Sequence, residues 1–162
     1  MSDVTVELDG SEYLQAMLVG CMRAAQNRRR GRQQAYGATA ANSEQCHITG
    51  AVGEACVAKF LNRYWLGVGT FRGPDVGGVQ VRARSKASYQ LILHKEDADD
   101  DIFVLVIACE GVGIVRGWIY GRDGKLDDHW ADPANGRPAY FVPSEKLRPM
   151  SEFPAQRRLA RA

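Results

Sequence analysis

Two helical stretches followed by a series of strands predict an α+β fold, a mixed β-sheet of α/β-type core flanked by N-terminal helices. Three observations carry this expectation. Apolar residues recur at three- and four-residue spacing over positions 13–22 and again over 48–64. VQVRAR (79–84) alternates apolar and polar, the two-residue period of a half-buried strand. IFVLVIAC (102–109) is a continuous apolar run of the kind that a central strand, covered on both faces, requires.

In chain order, residues 2–10 alternate valines with polar residues, a short strand or an irregular lead-in. Ser11 is a suitable cap for a first helix, in which Tyr13, Leu14, Met17, Leu18, Cys21 and Met22 form the apolar face. Arginine and glutamine then extend it as a basic helix to about residue 36, and the small, polar YGATAAN reads as a linker. Asn42 or Ser43 caps a second helix that runs to Tyr64, with Ile48, Val52, Cys56 and Phe60 as its central stripe. At about 100° per residue, Glu54 lies off that stripe, on a face shared with His47 and Gly50. Gly50 and Gly53 each cost a helix about 1 kcal/mol against alanine, which suggests that another segment passes close beside Glu54.

WLGVGTFR (65–72) reads as a strand and GPD as a turn. In the strand that follows, Val79, Val81 and Ala83 point one way and Gln80, Arg82 and Arg84 the other. YQLILH (89–94) is a further strand, and the acidic run KEDADDD after it a solvated loop that lacks the glycine and distal glutamate of a calcium loop. Gly111–Gly113 turns the chain after IFVLVIAC into a hairpin partner, IVRGWIYG, and Asp123-Gly124 turns it again. The remainder is a proline- and aromatic-rich wrap with a short strand at Ala139–Val142 and a tail that is helical or frayed.

A chain of 162 residues fits one domain, 1–162, able to bury a core without staples. No apolar run approaches the roughly 18 residues of a membrane span, and the first residues lack a signal-peptide pattern, so the expected location is the cytoplasm. The four cysteines form no C-x-x-C pair and sit in apolar surroundings, which argues for packing over zinc. A net charge of +2 says little by itself; its distribution says more. Arg23, Arg28, Arg29, Arg30 and Arg32 fall within ten residues free of acid, and clustered arginine of this kind can neutralise phosphates. The alternative is a solvated helix face.

Two carboxylates, Glu54 on the helix and Asp75 at the bend, can supply the hard oxygen ligands of Mg²⁺ or Mn²⁺. The Gln80 amide oxygen and the Val81 carbonyl can complete the set, with Arg82 beside Gln80 to hold a phosphate. Such an ion activates water for phosphodiester cleavage. The order Gly-x-x-Gly-Glu, Pro-Asp, Gln-x-Arg resembles a variant of the PD-(D/E)XK, restriction-endonuclease-like nuclease superfamily, in particular small bacteriophage and prophage members. GWIYG (117–121), FVP (141–143) and LRP (147–149) extend the resemblance over residues 45–150.

The resemblance implies a metal-dependent DNA nuclease with Mg²⁺ as cofactor and a nuclease-like core at 43–150. Asp75 matches the motif's aspartate, Gln80 its second acidic position, Arg82 its lysine, and Glu54 the helix glutamate of resolvase-like members. Gln80 removes a charge from the metal site. Arg82 stays protonated and can only stabilise charge, not act as a base. Lys86 replaces the missing lysine only if the strand bends. The alternative expectation is therefore a catalytically impaired relative that binds DNA, through Arg28, Arg29, Arg30, Arg32, Arg84 and Lys86, or binds a phage or host protein; a homodimer is compatible with either. The bland readings stand beside these: Asp75 as a turn residue, Glu54 as a surface partner of Lys59, His47 as a surface or capping residue, Gln80 and Arg82 as solvent-face residues, and Trp118, Tyr120, Trp130 and Phe141 as core.

Overall fold

A computed structural model describes residues 3–31, 42–67, 74–133 and 135–154. The chain begins with a strand, β1 (Val4–Glu7), then two helices, α1 (Gly10–Arg29) and α2 (Ser43–Phe60). The strands β2 (Val79–Arg84), β3 (Leu91–Leu93), β4 (Ile102–Cys109) and β5 (Val112–Tyr120) follow. A single helical turn, α3 (Gly121–Gly124), leads into the short strands β6 (Trp130–Ala131) and β7 (Ala139–Val142).

The expected α+β architecture is present, with one refinement: the strands form two sheets. The larger has the order β1-β5-β4-β2 and is mixed, since β2 runs parallel to β4 while the other pairs are antiparallel. The smaller is antiparallel, in the order β3-β7-β6. A parallel pair needs a long crossover. Residues 85–101 provide it and leave β3 in the second sheet on the way.

β4 shows why the run IFVLVIAC is uniformly apolar. Val104, Val106 and Ala108 enter a cluster with Val52, Cys56 and Val57 of α2, whereas Phe103, Leu105 and Ile107 enter another with Leu91, Leu93 and Val142 of the smaller sheet. The fold is thus three layers: helices, mixed sheet, small sheet with its wrap. Gly53 allows the closest helix–sheet approach, because a Cβ there would stand 2.5 Å from that of Ala83. The glycine signal beside Glu54 has this cause at Gly53, whereas Gly50 has nothing within 4 Å.

Several boundaries differ from the sequence expectations for identifiable reasons. Asp9, not Ser11, caps α1: its carboxylate accepts from the Glu12 amide at 2.8 Å while the Glu12 side chain accepts from the Asp9 amide, a reciprocal capping box. The described part of that helix ends at Arg29; the expected extension to residue 36, with Arg32 and the linker, lies outside the described residues. α2 stops at Phe60 rather than Tyr64, because Asn62 takes a left-handed conformation (φ 50°). The amides of Asn62 and Arg63 then bond back to Lys59 and Ala58, a Schellman closure. The hairpin turns on Glu110 and Gly111 (φ 47° and 80°), the two positive values of a tight primed turn, so β5 starts one residue after Gly111. Asp123-Gly124 belongs to α3 and is no simple turn. The expected strand over 65–72 and the tail beyond 154 fall largely or wholly outside the described residues.

Candidate functional site

α1 and α2 pack as an antiparallel pair, Gly20 against Ile48, with a Cβ at Gly20 only 2.5 Å from the Ile48 backbone. This contact sets the polar cluster of the helix layer. Glu54 is buried, 7% exposed, and both its oxygens are held by Arg23: Nη1 donates to Oε1 at 2.6 Å and Nη2 to Oε2 at 2.8 Å. Trp65 Nε1 donates to Oε2 as well, at 3.0 Å, and Arg23 Nη2 also reaches the Gly67 carbonyl at 2.9 Å. Glu54 is therefore no surface partner of Lys59, which bridges to Glu12 instead. One helical turn before Gly50, His47 is half-buried, its Nε2 3.1 Å from Asn27 Nδ2. Burial and the positive charge of Arg23 keep it below the usual histidine range.

Asp75 sits where the chain doubles back along β2. Val76 and Val79 exchange backbone hydrogen bonds, and Asp75 Oδ2 accepts the Val81 amide at 2.8 Å. β2 is the terminal strand of its sheet, so this amide faces the open edge. The carbonyl of a strand residue leaves on the same side as its amide, so the Val81 carbonyl faces the same open edge. Burial, and then the charge of Glu54, push the Asp75 carboxyl up to about 6; the Val81 amide, Arg82 and Arg23 counter this only in part. Glu54 and Asp75 thus influence each other electrostatically. Asp75 is also, as the bland reading has it, a turn residue.

Gln80 and Arg82 turn the other way. β2 gives Val79 and Val81 to the helix-side cluster, so Gln80 and Arg82 project toward the smaller sheet. Arg82 makes a forked pair with Asp97 at 2.9 and 3.0 Å, donates from Nε to the Ile92 carbonyl at 3.2 Å, and lies 4.9 Å over the Phe103 ring. Gln80 reaches Asp101 at 3.5 Å. The four expected side chains therefore do not converge: Glu54 is held by Arg23 and Trp65, Asp75 by the Val81 amide, and Gln80 and Arg82 by the acidic run. That run is the exposed loop the sequence suggested, but several of its acids are paired. Asp99 pairs with Lys125 at 2.8 Å, Asp100 with Arg122, and Asp97 also accepts the His94 amide at 2.8 Å. Gln80, one of the expected metal ligands, is turned to the face of β2 opposite Val79 and Val81 and bonds to Asp101. Among the described residues no group of three or more His, Cys, Asp or Glu is placed to hold a metal.

The basic residues gather elsewhere. Arg28, Arg29 and Arg30 close the C-terminal end of α1, beside the N-terminus of α2, where Arg28 pairs with Glu44 at 3.0 Å on an exposed surface. Arg84, at the end of β2, lies within electrostatic reach of Cys46 in that first turn of α2. Its guanidinium stacks 4.6 Å over Tyr89, with Lys86 Nζ 5.8 Å from the same ring. Burial lowers the Arg84 pKa. Its Nε has no hydrogen-bond partner among the described residues. Trp118 is core, as expected, 3% exposed.

Arg23, Trp65 and Asp97 were not singled out as partners. Arg23 carried a signal: it continues the stripe of Ala16, Val19 and Gly20, and a charge on a buried stripe requires an acid. Trp65 and Asp97 carried none, since both depend on how a crossover folds. No family model, no curated protein and no solved structure matches the chain.

Proposed function

We propose that this chain is a nuclease-like DNA-binding protein that engages the phosphate backbone through its basic end. The observation that supports the reading most is the gathering of Arg28–Arg30, Arg84 and Lys86 around the junction of α1, α2 and β2 from distant parts of the sequence. The Arg28–Glu44 pair is exposed and worth about 1 kcal/mol or less, so a phosphate can displace the carboxylate. Tyr89 holds Arg84 and Lys86 together and orients both cations. With five cations on phosphates, affinity should fall about 500-fold between about 50 and 200 mM salt. Fluorescence anisotropy with a labelled duplex measures this. Affinity that ignores salt, or that survives Arg84→Ala with Lys86→Ala unchanged, removes the proposal.

A second reading, metal-dependent hydrolysis of phosphodiester bonds at Glu54 and Asp75, is favoured by one observation. Asp75 is a partly buried carboxylate beside another acid, an electrostatic cost that a divalent ion would relieve. Mg²⁺ or Mn²⁺ there would polarise a phosphate and activate water, with Asp75 and the Val81 carbonyl as ligands. For Glu54 to join them, Arg23 must release one oxygen. Incubation of linear and supercoiled DNA with either ion should give cleavage that Asp75→Asn abolishes; intact DNA in every condition excludes this reading and leaves the first untouched. Among the described residues no helix is long and apolar enough to cross a membrane.

A further inference from the structure

The buried face of α1 is spent on α2, yet the helix carries a second apolar stripe. Leu14, Leu18 and Met22 recur every fourth residue and are 57%, 61% and 38% exposed. Ser11, Ala25 and Arg29 continue the same line, all exposed, within about 40° of Leu18 on the helical wheel. Single exposed leucines are ordinary, but an aligned set on one helix is the mark of an interaction surface.

We propose that this stripe is a two-fold interface with a second copy of the chain, the two α1 helices crossing antiparallel about Leu18. The distribution of charge along α1 selects that occupant and that orientation. Asp9 and Glu12 make the first turn acidic, with Glu7 before them and Lys59 paired to Glu12; Arg28 and Arg29 make the last turn basic, with Glu44 paired to Arg28. A parallel pair would set like charges side by side. An antiparallel pair about Leu18 places Leu14 against Met22 of the second copy and brings Arg29, about 16 Å along the axis, over the acidic start of the opposite helix. Because the axis is two-fold, each contact occurs twice, and one stripe supplies both halves of the interface. The apolar part is narrow, so the association is concentration-dependent and not obligate. It does not rest on the DNA reading.

Sedimentation velocity over a concentration series should show a monomer–dimer equilibrium for the wild-type chain. Leu18→Glu should weaken it by about 100-fold or more, since the side chain meets its own copy across the axis. At concentrations where the wild type is monomeric the thermal melt should not move, because Leu18 is exposed there. Orientation is read in a background with Cys21, Cys46 and Cys109 replaced by serine, which leaves the buried Cys56. There, Leu18→Cys should cross-link to itself through a short bismaleimide, whereas Leu14→Cys and Met22→Cys should cross-link efficiently only when mixed. A monomer at all concentrations to the solubility limit overturns the proposal. So does a dimer that Leu18→Glu leaves intact, or Leu14→Cys linking to itself as readily as to Met22→Cys.

Discussion

The two faces of β2 handle charge in opposite ways. Toward the small sheet, Arg82 finds both oxygens of Asp97, Lys125 finds Asp99 and Arg122 finds Asp100. Toward the helices, Glu54 is matched by Arg23, but Asp75 answers to burial and to the charge of Glu54 with only partial compensation. The first arrangement is a clasp that fixes a crossover to a sheet. The second retains an electrostatic cost with no structural need, since an amide could accept the Val81 hydrogen bond equally well. Matched pairs mark where the fold is built, whereas Asp75 is a charge that the fold compensates only in part.

Removing the compensation on the helix side should have the largest effect. Arg23→Ala leaves the Glu54 carboxylate buried with Trp65 as its remaining side-chain donor, and should cost about 3–5 kcal/mol, a fall in Tm of about 10 °C or more. A calorimetric melt checks it, and the double change Arg23→Met, Glu54→Met should recover much of the loss. On the clasp side, Arg82→Ala should cost less, about 2–3 kcal/mol, because the carboxylate it leaves, Asp97, is more exposed than Glu54 and keeps the His94 amide as a donor. A double-mutant cycle with Asp97→Ala isolates the pair; coupling near zero would mean the clasp is held by its backbone contacts.

The smallest effect has the opposite sign. A carboxyl raised from 3.8 to about 6 on folding binds more protons in the native state, so its contribution lowers stability as pH rises from about 4 to 6 and stays constant above. Asp75→Asn keeps an acceptor for Val81 and should stabilise the protein by about 1–2 kcal/mol at pH 8. The same change should flatten stability between pH 4 and 6. Urea titrations at several pH values read both, and a destabilised Asp75→Asn at pH 8 would return Asp75 to the class of plain structural residues.

Much of this fold was legible in the residues themselves. The double-sided burial of IFVLVIAC, the alternation of VQVRAR, and the strand at Ala139–Val142 are local patterns with one structural solution each. The split into two sheets was not legible, because β3 is three residues long and its partner β7 lies almost fifty residues away. The cap of α1 was missed because Ser11 is an acceptable cap in composition, and only backbone geometry shows that Asp9, two residues earlier, takes the role. For the site, the face of Glu54 and the bend at Asp75 follow from periodicity and Pro-Asp chemistry. The divergence of Gln80 and Arg82 follows from the same alternation, but which face would meet Glu54 depends on where α2 docks. No single-strand pattern contains that.

Residues 75–79 fold back along β2 and take up hydrogen bonds from Val79 and Val81. The first half of the sheet's outer rim is thereby occupied by the molecule's own chain. A stray extended segment from a neighbour would find those amides already taken and would have to break a turn to line up there. Whatever Asp75 does for a ligand, it also keeps the sheet finite, and a change that evicts its carboxylate from the Val81 amide would invite end-to-end growth into fibrils.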